Sequence, residues 1–594
     1  MIFGKHINRY YIRHFFALLL GIVTLTLVDY AQLKVPEIYK LVVNGISEGY
    51  IVENNVSIPF DMEFLLSRIC IPLIEVIIIM VVGRFLWRIC FFGTGLRVEK
   101  DLRLRMFDKS KDLPQSYYQK HKVGHMMSLF TNDLETVQDC FGSGILMLGD
   151  AILLGGLAIY KMAKMHGLLT LFSLIPMVLL FSVGTVVGNY MMKKWAARQE
   201  AFSRLSDFSQ ESFSGIAVIK AFVKEFKELS AFKRLNKENE QANVSYTKSS
   251  TLLHILVTLF VESVICVILG YGGYLVYKGV FDAGQLIEFI GYFTAVVWPV
   301  MAVSQLIDMC ARGKASLDRI SELLDAKTDV TSHEDAEAGE PLTGKIEFRN
   351  LSFTHPGSEV EALHGVSFTI EAGERVGIIG KTGAGKTTVA DLLLRTYPIP
   401  DGMLFLDGRD VNCIPVSTVR EQISYVPQDN FLFSTTIRSN IAFGVDNMPE
   451  ERVVEVAKLA DVHENIEGFP HQYDTILGER GVTVSGGQKQ RISIARALAK
   501  DAPILILDDA VSAVDTATER VILGNFYTTR KGKTTLMIAH RISTVAEADK
   551  IVFLDEGKVV AVGTHESLYQ TCDSYRRMVD LQKLEEEKGE HINA

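Results

Sequence analysis

The sequence predicts an all-α membrane domain of six transmembrane helices, fused to an α/β domain with a mainly parallel sheet. Three observations lead to this fold class. The chain has 594 residues, which is too many for one domain. Its hydrophobic content of 48% and mean hydropathy of +0.19 fit a chain that lies half in a membrane and half in water. The first half carries long apolar runs, whereas the second half alternates short β-type runs with helical segments.

Six apolar runs, each near the ~20 residues that a bilayer demands, predict the transmembrane helices. Their approximate spans are 14–35, 64–92, 140–162, 167–190, 250–278 and 284–305. Polar stretches rich in helix formers, 97–138 and 193–248, follow the second and the fourth run. The other connections are short. This pattern predicts long helices that project beyond the membrane on one side only.

The distribution of charge predicts which side that is. Residues 1–13 contain Lys5, Arg9 and Arg13 and no acid, whereas the loop 46–62 contains acids and no base. By the positive-inside rule, the N-terminus, the helical extensions and the C-terminal domain lie in the cytoplasm, and the bilayer is a bacterial plasma membrane. The formal net charge of −9 argues against nucleic acid as a main partner.

The predicted domain boundaries follow changes in composition. Residues 1–325 form the membrane domain with two cytoplasmic turns. Residues 326–343 are acidic, interrupted by Pro and Gly, and without period, which predicts a linker. The α/β domain covers 344–583, and we expect the charged tail 584–594 to be frayed.

Residues 380–388 form a P-loop between a strand and a helix, and this context disfavours a chance glycine-rich turn. Its glycines let backbone N–H groups point at phosphates, and the helix N-terminus adds its dipole. Lys386 supplies a cation to the β- and γ-phosphates, Thr387 a hydroxyl to Mg²⁺, and Thr388 a hydroxyl to the α-phosphate. The predicted nucleotide-binding residues of this loop are Gly380, Lys381, Thr382, Gly383, Ala384, Gly385, Lys386, Thr387 and Thr388.

The run 504–507 predicts a buried strand that carries Asp508 to its end. An NTPase places the carboxylate that holds Mg²⁺ at such a strand end. The next position suits a general base or a carboxylate that orients water. A glutamate is expected there, but this chain has Asp509. The segment therefore predicts that the protein binds ATP and that its own hydrolytic site is weakened.

A second glycine-containing helix start precedes this strand. Ser485, Gly486, Gly487 and Gln488 open a helix whose N-terminus can bind an anion. A chain with one P-loop has no internal need for this feature, which makes sense if it faces a γ-phosphate held by another subunit. The alternative is a glycine-rich loop that only caps the helix.

Together these motifs resemble the nucleotide-binding domain of an ABC transporter, and the whole chain resembles a half-transporter of the exporter type. This resemblance implies a type IV exporter fold with ATP and Mg²⁺ as ligands. It implies that Asp509, Gln428 and His540 are the catalytic Walker B, Q-loop and switch residues, and that Asp515 lies in the D-loop. Residues 485–488 match the signature, and 478–481 match the loop that precedes it. The implied Mg²⁺ ligands are Thr387, Gln428 and Asp508.

Two segments of the membrane half resemble the cytoplasmic turns that carry short coupling helices. They are 113–137 and 211–222. The resemblance implies that apolar and aromatic side chains, such as Tyr117, Tyr118 and Phe213, press onto nucleotide-binding domains.

The chain departs from the family pattern in three places. Val484 replaces the usual leucine of the signature, which is a mild change. His355 stands where an aromatic residue stacks on adenine, so a weaker nucleotide grip is expected, unless this is an exposed histidine with no role. Asp509 withdraws the carboxylate by about one C–C bond, ~1.5 Å. A ~1 Å misplacement of a catalytic group can cost ~10²-fold in rate.

Aspartate at position 509 resembles one chain of the asymmetric, heterodimeric exporters. This resemblance favours a heterodimer with a second ABC half-transporter, in which hydrolysis occurs mainly at the partner's site. A homodimer with an active Asp509 is the alternative. Two other functions stay open, namely an ATP-binding regulatory half-transporter with little turnover and an exporter-fold importer of a metal chelate.

Four acids inside the apolar runs bear on the substrate: Asp29, Glu75, Asp150 and Glu262. Each would cost ~2.5–3.5 kcal/mol at a helix centre, so we expect them to face a cavity or a partner. They favour amphipathic, drug-like, cationic substrates for ATP-driven export. The alternative is that they form hydrogen bonds between helices. We also expect Pro36, which follows Asp29 two turns later, to kink the first helix.

Overall fold

The computed structural model describes residues 3–53, 56–121, 123–333, 335–478, 481 and 483–593. It divides into two compact units. The membrane unit consists of Met1–Lys111 and Val123–Ala326, and the nucleotide-binding unit consists of Asp112–Lys122 and Lys327–Ala594. The sequence placed 112–122 in the membrane domain. The structure places it with the second unit, because side chains of its short helix bond to residues of that unit.

The membrane unit is all-α apart from one hairpin. Its α-helices are Asn8–Arg13, Phe15–Gln32, Lys34–Glu48, Met62–Phe64, Ile71–Asp112, Val123–Ser128, Leu134–Met165, Gly167–Ser214, Ile216–Ala221, Glu225–Tyr277 and Ala283–Asp325. Single π-helical segments, Leu65–Cys70 and Leu129–Asp133, join consecutive α-helices. The hairpin pairs Tyr50–Glu53 with Val56–Pro59.

The prediction of a multi-pass membrane domain is confirmed. Five helical segments among the described residues are long and apolar enough to cross a bilayer: Phe15–Glu48, Met62–Asp112, Val123–Met165, Glu225–Tyr277 and Ala283–Asp325. The fourth predicted span, 167–190, begins in the apolar segment Gly167–Val178, and the side chains of 179–189 lie outside those described.

The longest membrane helices exceed the thickness of a bilayer, as the polar extensions predict. Glu225–Tyr277 has 53 residues. At 1.5 Å per residue, this corresponds to about 80 Å, against ~30 Å for the hydrocarbon core.

The first transmembrane segment is broken at Leu33, between Phe15–Gln32 and Lys34–Glu48. Pro36 lies in the first turn of the second piece. Backbone N–H groups have no partner within the helix in this turn, so the missing N–H of proline costs no hydrogen bond. A Cβ at Gly291 would lie 2.7 Å from the Pro36 ring, so another helix crosses closely at this point.

The nucleotide-binding unit contains the predicted parallel sheet. Its six strands lie in the order Lys558–Gly563, Lys550–Asp555, Arg375–Gly380, Thr534–Ala539, Ile504–Asp508, Ile423–Val426, and all are parallel except the first, an edge strand. A second, antiparallel sheet, which the sequence reading did not resolve, has the order Glu361–Ile370, Ile346–Thr354, Leu404–Leu406, Arg409–Asp410.

The helices of this unit pack on the sheets and on one another. The α-helices are Gln115–Lys120, Lys386–Leu393, Val416–Glu421, Ile437–Ile441, Glu450–Leu459, His463–Glu467, Gly486–Lys500, Thr516–Thr529, Ile542–Val545, His565–Thr571 and Asp573–Asn593. The 3₁₀ turns are Val411–Cys413, Ala442–Gly444 and Gln472–Asp474. The tail was expected to be frayed, but the last helix continues to Asn593, since glutamate and lysine are good helix formers.

The predicted linker has no helix or strand among its described residues, yet hydrogen bonds hold it to the nucleotide-binding unit. Arg395 Nη2 donates to the Thr331 carbonyl oxygen at 2.7 Å, and the His333 N–H donates to the Asn412 carbonyl oxygen at 3.0 Å. Arg395 is only 1% exposed. Composition predicted the lack of secondary structure, but it could not predict these contacts with residues distant in sequence.

Candidate functional site

The candidate nucleotide site lies at the carboxyl ends of four neighbouring parallel strands. Val426 pairs with Leu507, Ile538 with Asp508, and Ala539 with Ile379. Because these strands are parallel and in this register, the segments that follow them meet at one edge of the sheet. These segments carry the Q-loop, the Asp508–Asp509 pair, the switch histidine and the P-loop. The structure therefore brings together motifs that the sequence places far apart.

The P-loop is a backbone cradle in which two glycines are sterically required. Gly385 has φ +88°, and a Cβ there would lie 2.6 Å from the Ala362 carbonyl oxygen. A Cβ at Gly380 would overlap the Leu554 carbonyl. Gly383 has φ +84° and open space around it. These positions allow the loop to turn its N–H groups towards a phosphate, as the sequence predicted.

The remaining P-loop positions differ in exposure. Lys381 and Thr382 are exposed, and Lys381 Nζ lies 3.4 Å from Asp555 Oδ2. Ala384 is buried beneath the loop. Lys381 and Thr382 can therefore contribute mainly backbone groups to the cradle, while Ala384 packs against the core.

Lys386 lies at the centre of the loop and is 5% exposed. Its Nζ donates to the carbonyl oxygens of Gly380 and Lys381, both at 2.9 Å, and lies 3.5 Å from His540 Nδ1. Burial lowers the pKa of Lys386, and the charges of Asp508 and Asp509 oppose that effect. The loop thus holds an ammonium group among acids, where an incoming phosphate can replace the two carbonyl bonds.

Asp508 offers one free carboxylate oxygen inside the site. The Thr387 hydroxyl donates to Asp508 Oδ1 at 3.3 Å. Asp508 Oδ2 is buried and has no hydrogen-bond partner within the described parts of the chain. Burial raises the pKa of Asp508 to about 6. A buried oxygen without a partner is costly unless a cation fills its coordination, and a hydroxyl beside a carboxylate is a ligand set that Mg²⁺ accepts.

Gln428 follows the strand next to Asp508. Its side chain is exposed, and its carbonyl oxygen accepts from Asn430 Nδ2 at 3.5 Å. The pairing of Val426 with Leu507 places the Q-loop beside the end of the Asp508 strand.

Asp509 adopts the left-handed region, with φ +50°. Aspartate tolerates this conformation better than most residues with a Cβ, though it still carries strain. Its N–H donates to the Ile538 carbonyl oxygen at 2.8 Å. Its charge acts on both Lys386 and His540, so the carboxylate is near both side chains. Asp509 is thus at the phosphate end of the site.

His540 lies between the P-loop and the last helix. Burial lowers the pKa of its imidazole, as does Lys386, while Asp509 raises it. The imidazole is therefore neutral at pH 7. Its backbone carbonyl oxygen accepts from Gln582 Nε2 at 2.6 Å, which fixes the chain at this position.

His355 lies against the first turn of the P-loop helix. Its Nε2 is 3.2 Å from the Thr388 hydroxyl, and its ring contacts Phe353 and Tyr397 edge-on, with centroid distances of 5.0 and 5.3 Å. Burial lowers the pKa of His355. This histidine is half-buried and has defined contacts. It therefore does not fit the alternative interpretation of an exposed histidine with no role.

The signature residues form a capping box. Ser485 Oγ accepts from the Gln488 N–H at 3.2 Å, and the Ser485 N–H donates to Gln488 Oε1 at 3.0 Å. Gly486 is exposed, and Gly487 packs close to the Ala513 carbonyl. Val484 is buried in the core. Glu479 and Arg480 of the preceding loop lie outside the described residues.

The D-loop is held by its own turn and helix. Ser512 Oγ donates to the Asp509 carbonyl oxygen at 2.9 Å. Asp515 caps the helix Thr516–Thr529 by accepting from the Thr518 N–H at 2.9 Å, and that bond lowers its pKa. The Asp515 carboxylate therefore has a structural role inside this chain.

The sequence reading missed Gln490, which joins the signature helix to the Asp509 turn. Its Nε2 donates to the Asp509 carbonyl oxygen and its Oε1 accepts from the Ala513 N–H, both at 2.9 Å. Gln490 is 2% exposed. A buried amide in a helix is the only sequence signal for this role, and it does not name the partner.

The membrane unit contains a polar cavity of about 310 Å³. Its lining includes two acids, two arginines and two tryptophans, namely Asp29, Asp150, Arg84, Arg88, Trp87 and Trp298. Asp29 is 3% exposed, and its Oδ2 has no hydrogen-bond partner in the described structure. Trp298 Nε1 donates to Asp150 Oδ2 at 3.2 Å.

The structure places two of the four acids, Asp29 and Asp150, in this cavity. Glu75 and Glu262 are exposed on the surface of the unit and do not line this cavity. Arg84 and Arg88 do line it, so the cavity carries both signs of charge. The four acids fall on different helix faces, and apolar runs alone do not show which face is inward.

Comparison with known proteins agrees with this architecture. The family model described as "ABC transporter transmembrane region" matches residues 15–300, and the one described as "ABC transporter" matches residues 363–512. A solved structure of a bacterial Atm1-family ABC exporter with ATP bound is similar, with a TM-score of 0.76 and 26% identity. That match covers 97% of this chain and 98% of the other.

Curated relatives match over most of their length. A probable multidrug resistance ABC transporter ATP-binding/permease protein, YheI of Bacillus subtilis, is 37% identical over 84% of this chain and 86% of its own. The multidrug resistance-like ATP-binding protein MdlA of Escherichia coli is 32% identical over 95% and 94%. An ATP-dependent lipid A-core flippase of Syntrophus aciditrophicus is 33% identical over 88% and 87%.

We expect Asp391→Asn to stabilise the nucleotide-free protein, and more so at pH 7.5 than at pH 5. Burial, and then the charge of Asp508, raise the pKa of Asp391 to about 6. A raised pKa means that the folded state favours the protonated acid. The contribution of Asp391 to the free energy of unfolding is therefore fully present below the ordinary pKa of the acid, and it is lost as the pH rises through about 6. Because Asp391 is partly exposed, the gain is ~1–2 kcal/mol.

Calorimetric unfolding of the purified chain at the two pH values measures this effect. The exposed Asp446→Asn variant is the matched control. Equal shifts at both pH values, or destabilisation at pH 7.5, would contradict the assignment.

We expect Gln490→Leu to lower the free energy of unfolding by ~2–4 kcal/mol, since it leaves the Ala513 N–H unpaired and removes one of the hydrogen bonds to the Asp509 carbonyl oxygen. Hydrogen exchange at 509–513 should rise in parallel. Gln488→Leu removes only the bond within the capping box, and it should cost ~1 kcal/mol or less. A smaller loss for Gln490→Leu than for Gln488→Leu would rule out this role.

Proposed function

The chain belongs to the ABC transporter family, and from this membership we propose that it is one half of an unequal, two-chain exporter of amphipathic cations. As a member it is a multi-pass membrane protein that binds ATP and couples ATP hydrolysis to transport. The observation that carries the finer proposal is Asp509, which holds the place of the catalytic glutamate in a left-handed turn beside Lys386.

A second chain is needed because each ATP site requires a P-loop and a signature from different subunits. No hydrogen bond or ion pair among the described residues joins the P-loop to residues 485–488. The signature serine and first glycine are exposed, and the helix behind them is firmly capped. In the proposed assembly, this capped N-terminus faces a phosphate bound by the partner.

We propose that the partner carries out most of the hydrolysis. Asp509 is shorter than glutamate, and its backbone is fixed by bonds to Ile538 and Gln490. A rigid turn limits the backbone shift that could compensate for the shorter side chain. Its own site would then hold ATP for longer, while residues 485–488 complete a competent site on the partner. A homodimer that uses Asp509 as its base is the competing assembly.

ATP would lie on the P-loop with its adenine near His355. Lys386 would bind the β- and γ-phosphates, and Thr388 would bind the α-phosphate. The residues that would hold Mg²⁺ are Thr387, Asp508 and Gln428, and the free Asp508 Oδ2 is the observation that fits a cation. The cation would neutralise phosphate charge, and His540, as a neutral imidazole, would donate a hydrogen bond to the terminal phosphate.

The proposed orientation places the nucleotide-binding unit in the bacterial cytoplasm. The basic segment 1–13 and the acidic loop 46–62 support it. With this orientation, energy from cytoplasmic ATP drives the substrate outward, which agrees with the relatives named as multidrug resistance proteins.

The second cytoplasmic turn supports a two-chain assembly. Phe213, Val218 and Phe222 around the helix Ile216–Ala221 are 76%, 60% and 69% exposed. Such an apolar surface needs a cover. We assign it to the nucleotide-binding unit of the partner, as the family resemblance implies.

The substrate would bind in the cavity that contains Asp29. Arg88 stacks over Trp87 at 5.4 Å, and Arg84 Nη2 donates to Gln32 Oε1 at 3.4 Å, so both arginines have partners within the protein. Asp29 Oδ2 has none among the described residues. A cation with aromatic groups would pair with Asp29 and stack on Trp298. The mixed charge of the lining favours amphipathic over simple inorganic cations.

We expect Asp509→Glu to raise ATP turnover at this chain's own site. The readout is the ATPase activity of the co-purified two-chain complex, in which the partner's catalytic glutamate is replaced by glutamine. The expected rise over the residual rate is ~10–10²-fold. The rise falls short of ~10²-fold if the left-handed turn strains the glutamate backbone. Lys386→Ala is the control without nucleotide binding. Unchanged turnover in a homodimer that is already active would contradict the unequal pair.

We expect Asp29→Asn to reduce transport of a lipophilic cation, tetraphenylphosphonium, by ~10–10²-fold in kcat/KM, because the amide cannot ionise to pair with the cation and has nearly the same volume. Uptake into inverted vesicles that contain the two-chain complex measures it. Glu75→Gln, on the exposed surface, is the matched control. An equal loss in both variants, or no loss in either, would argue against a cation site at Asp29.

A further inference from the structure

The segment that follows the P-loop helix contacts both the nucleotide site and the first coupling helix. The P-loop helix Lys386–Leu393 ends at Leu394, and Tyr397 follows within a few residues. Tyr397 is 2% exposed, so its ring is enclosed on nearly all sides. The motifs of the sequence do not include this tyrosine.

On the nucleotide side, Tyr397 packs behind His355. The two rings meet edge-on at 5.3 Å with an interplanar angle of 83°, and Phe353 completes the cluster at 5.3 Å from Tyr397. His355 in turn contacts the Thr388 hydroxyl at 3.2 Å. Only one ring therefore separates Tyr397 from the hydroxyl that is expected to bind the α-phosphate.

On the other side, Tyr397 bonds to the coupling helix Gln115–Lys120. Gln119 Nε2 donates to Tyr397 Oη at 2.8 Å. Ser116 of the same helix donates to Asp329 Oδ2 of the linker at 3.0 Å. Arg395, two residues before Tyr397, bonds to the linker carbonyl of Thr331 at 2.7 Å. One short segment thus bonds to both the coupling helix and the linker, within the nucleotide-binding unit.

We propose that Tyr397 is a positioning residue that reports occupancy of the nucleotide site to the first coupling helix. The inference rests on the proposed function, because it takes His355 and Thr388 as adenine and α-phosphate contacts. A nucleotide competes for the Thr388 hydroxyl that now faces His355. When His355 gives up this contact and turns towards adenine, its ring moves against Tyr397. The Tyr397 hydroxyl then carries the movement to Gln119.

A hydroxyl and an amide are the groups that this role requires. A phenyl ring without the hydroxyl would preserve the packing with His355 and Phe353 but would leave Gln119 without its acceptor. Tyr397→Phe therefore separates transmission from packing, since it removes one oxygen and leaves the aromatic cluster intact.

The test uses the full-length chain with its co-purified partner in lipid nanodiscs. Hydrogen exchange of the segment 115–121 is measured with and without Mg²⁺ and adenylyl imidodiphosphate. Stimulation of ATPase activity by tetraphenylphosphonium is measured in parallel. We expect the nucleotide-dependent change in exchange to fall about fivefold in Tyr397→Phe, together with the ratio of stimulated to basal activity.

Three comparisons make the result specific. Tyr575→Phe removes another buried hydroxyl of the same unit, which bonds to His565 at 2.8 Å, and both readouts should stay as in the parent protein. Gln119→Leu should reproduce Tyr397→Phe. The double variant should be no worse than either single one, because both remove the same bond.

Normal exchange and normal stimulation in Tyr397→Phe would overturn the inference, as would additive losses in the double variant. If the parent complex is not stimulated by tetraphenylphosphonium, the proposed substrate class fails. The hydrogen-exchange measurement then tests the role of Tyr397 by itself, without the measurement of ATPase stimulation.

Discussion

The parallel pairing of four buried strands is the constraint on which the site depends. Residues 504–508 are all at most 4% exposed, and the strands on either side are similarly covered. Hydrogen bonds between these strands fix their register, so that Ile538 stands beside Asp508 and Ala539 beside Ile379. A slip of one residue would move the catalytic side chains to the opposite face of the sheet. The apolar core therefore sets the position of every charged group that follows a strand.

The charged groups at that edge balance one another. Lys386 is buried, and two aspartates and a neutral histidine surround it. Burial raises the pKa of Asp508 and lowers that of Lys386, so both ionised forms are disfavoured without a ligand. Phosphate and a divalent cation would relieve both effects at once. Asp509 adds a strained backbone to this arrangement.

Hydrogen bonds hold the linker and the first coupling helix to the nucleotide-binding unit. The linker looks featureless in composition, yet Arg395 and Asn412 hold it by hydrogen bonds. The first coupling helix bonds to the same region through Ser116 and Gln119. The segment after the P-loop helix therefore contacts both the coupling helix and the linker. This arrangement suits a transporter, in which the two ends of the chain must respond together.

The sequence by itself determined the architecture and the nucleotide motifs, because hydrophobic periodicity and glycine spacing are local properties that need no knowledge of distant contacts. It identified Lys386 and Asp508 from their motifs, and the resemblance to a known family identified the substitution at position 509. Only the tertiary structure decided which distant residues meet: Gln490 with the Asp509 turn, Tyr397 with Gln119, and Asp29 with Asp150 in one cavity. The physical reason is that side-chain hydrogen bonds and cavities depend on how helices and strands pack. An apolar run in the sequence does not show which side of its helix faces the interior.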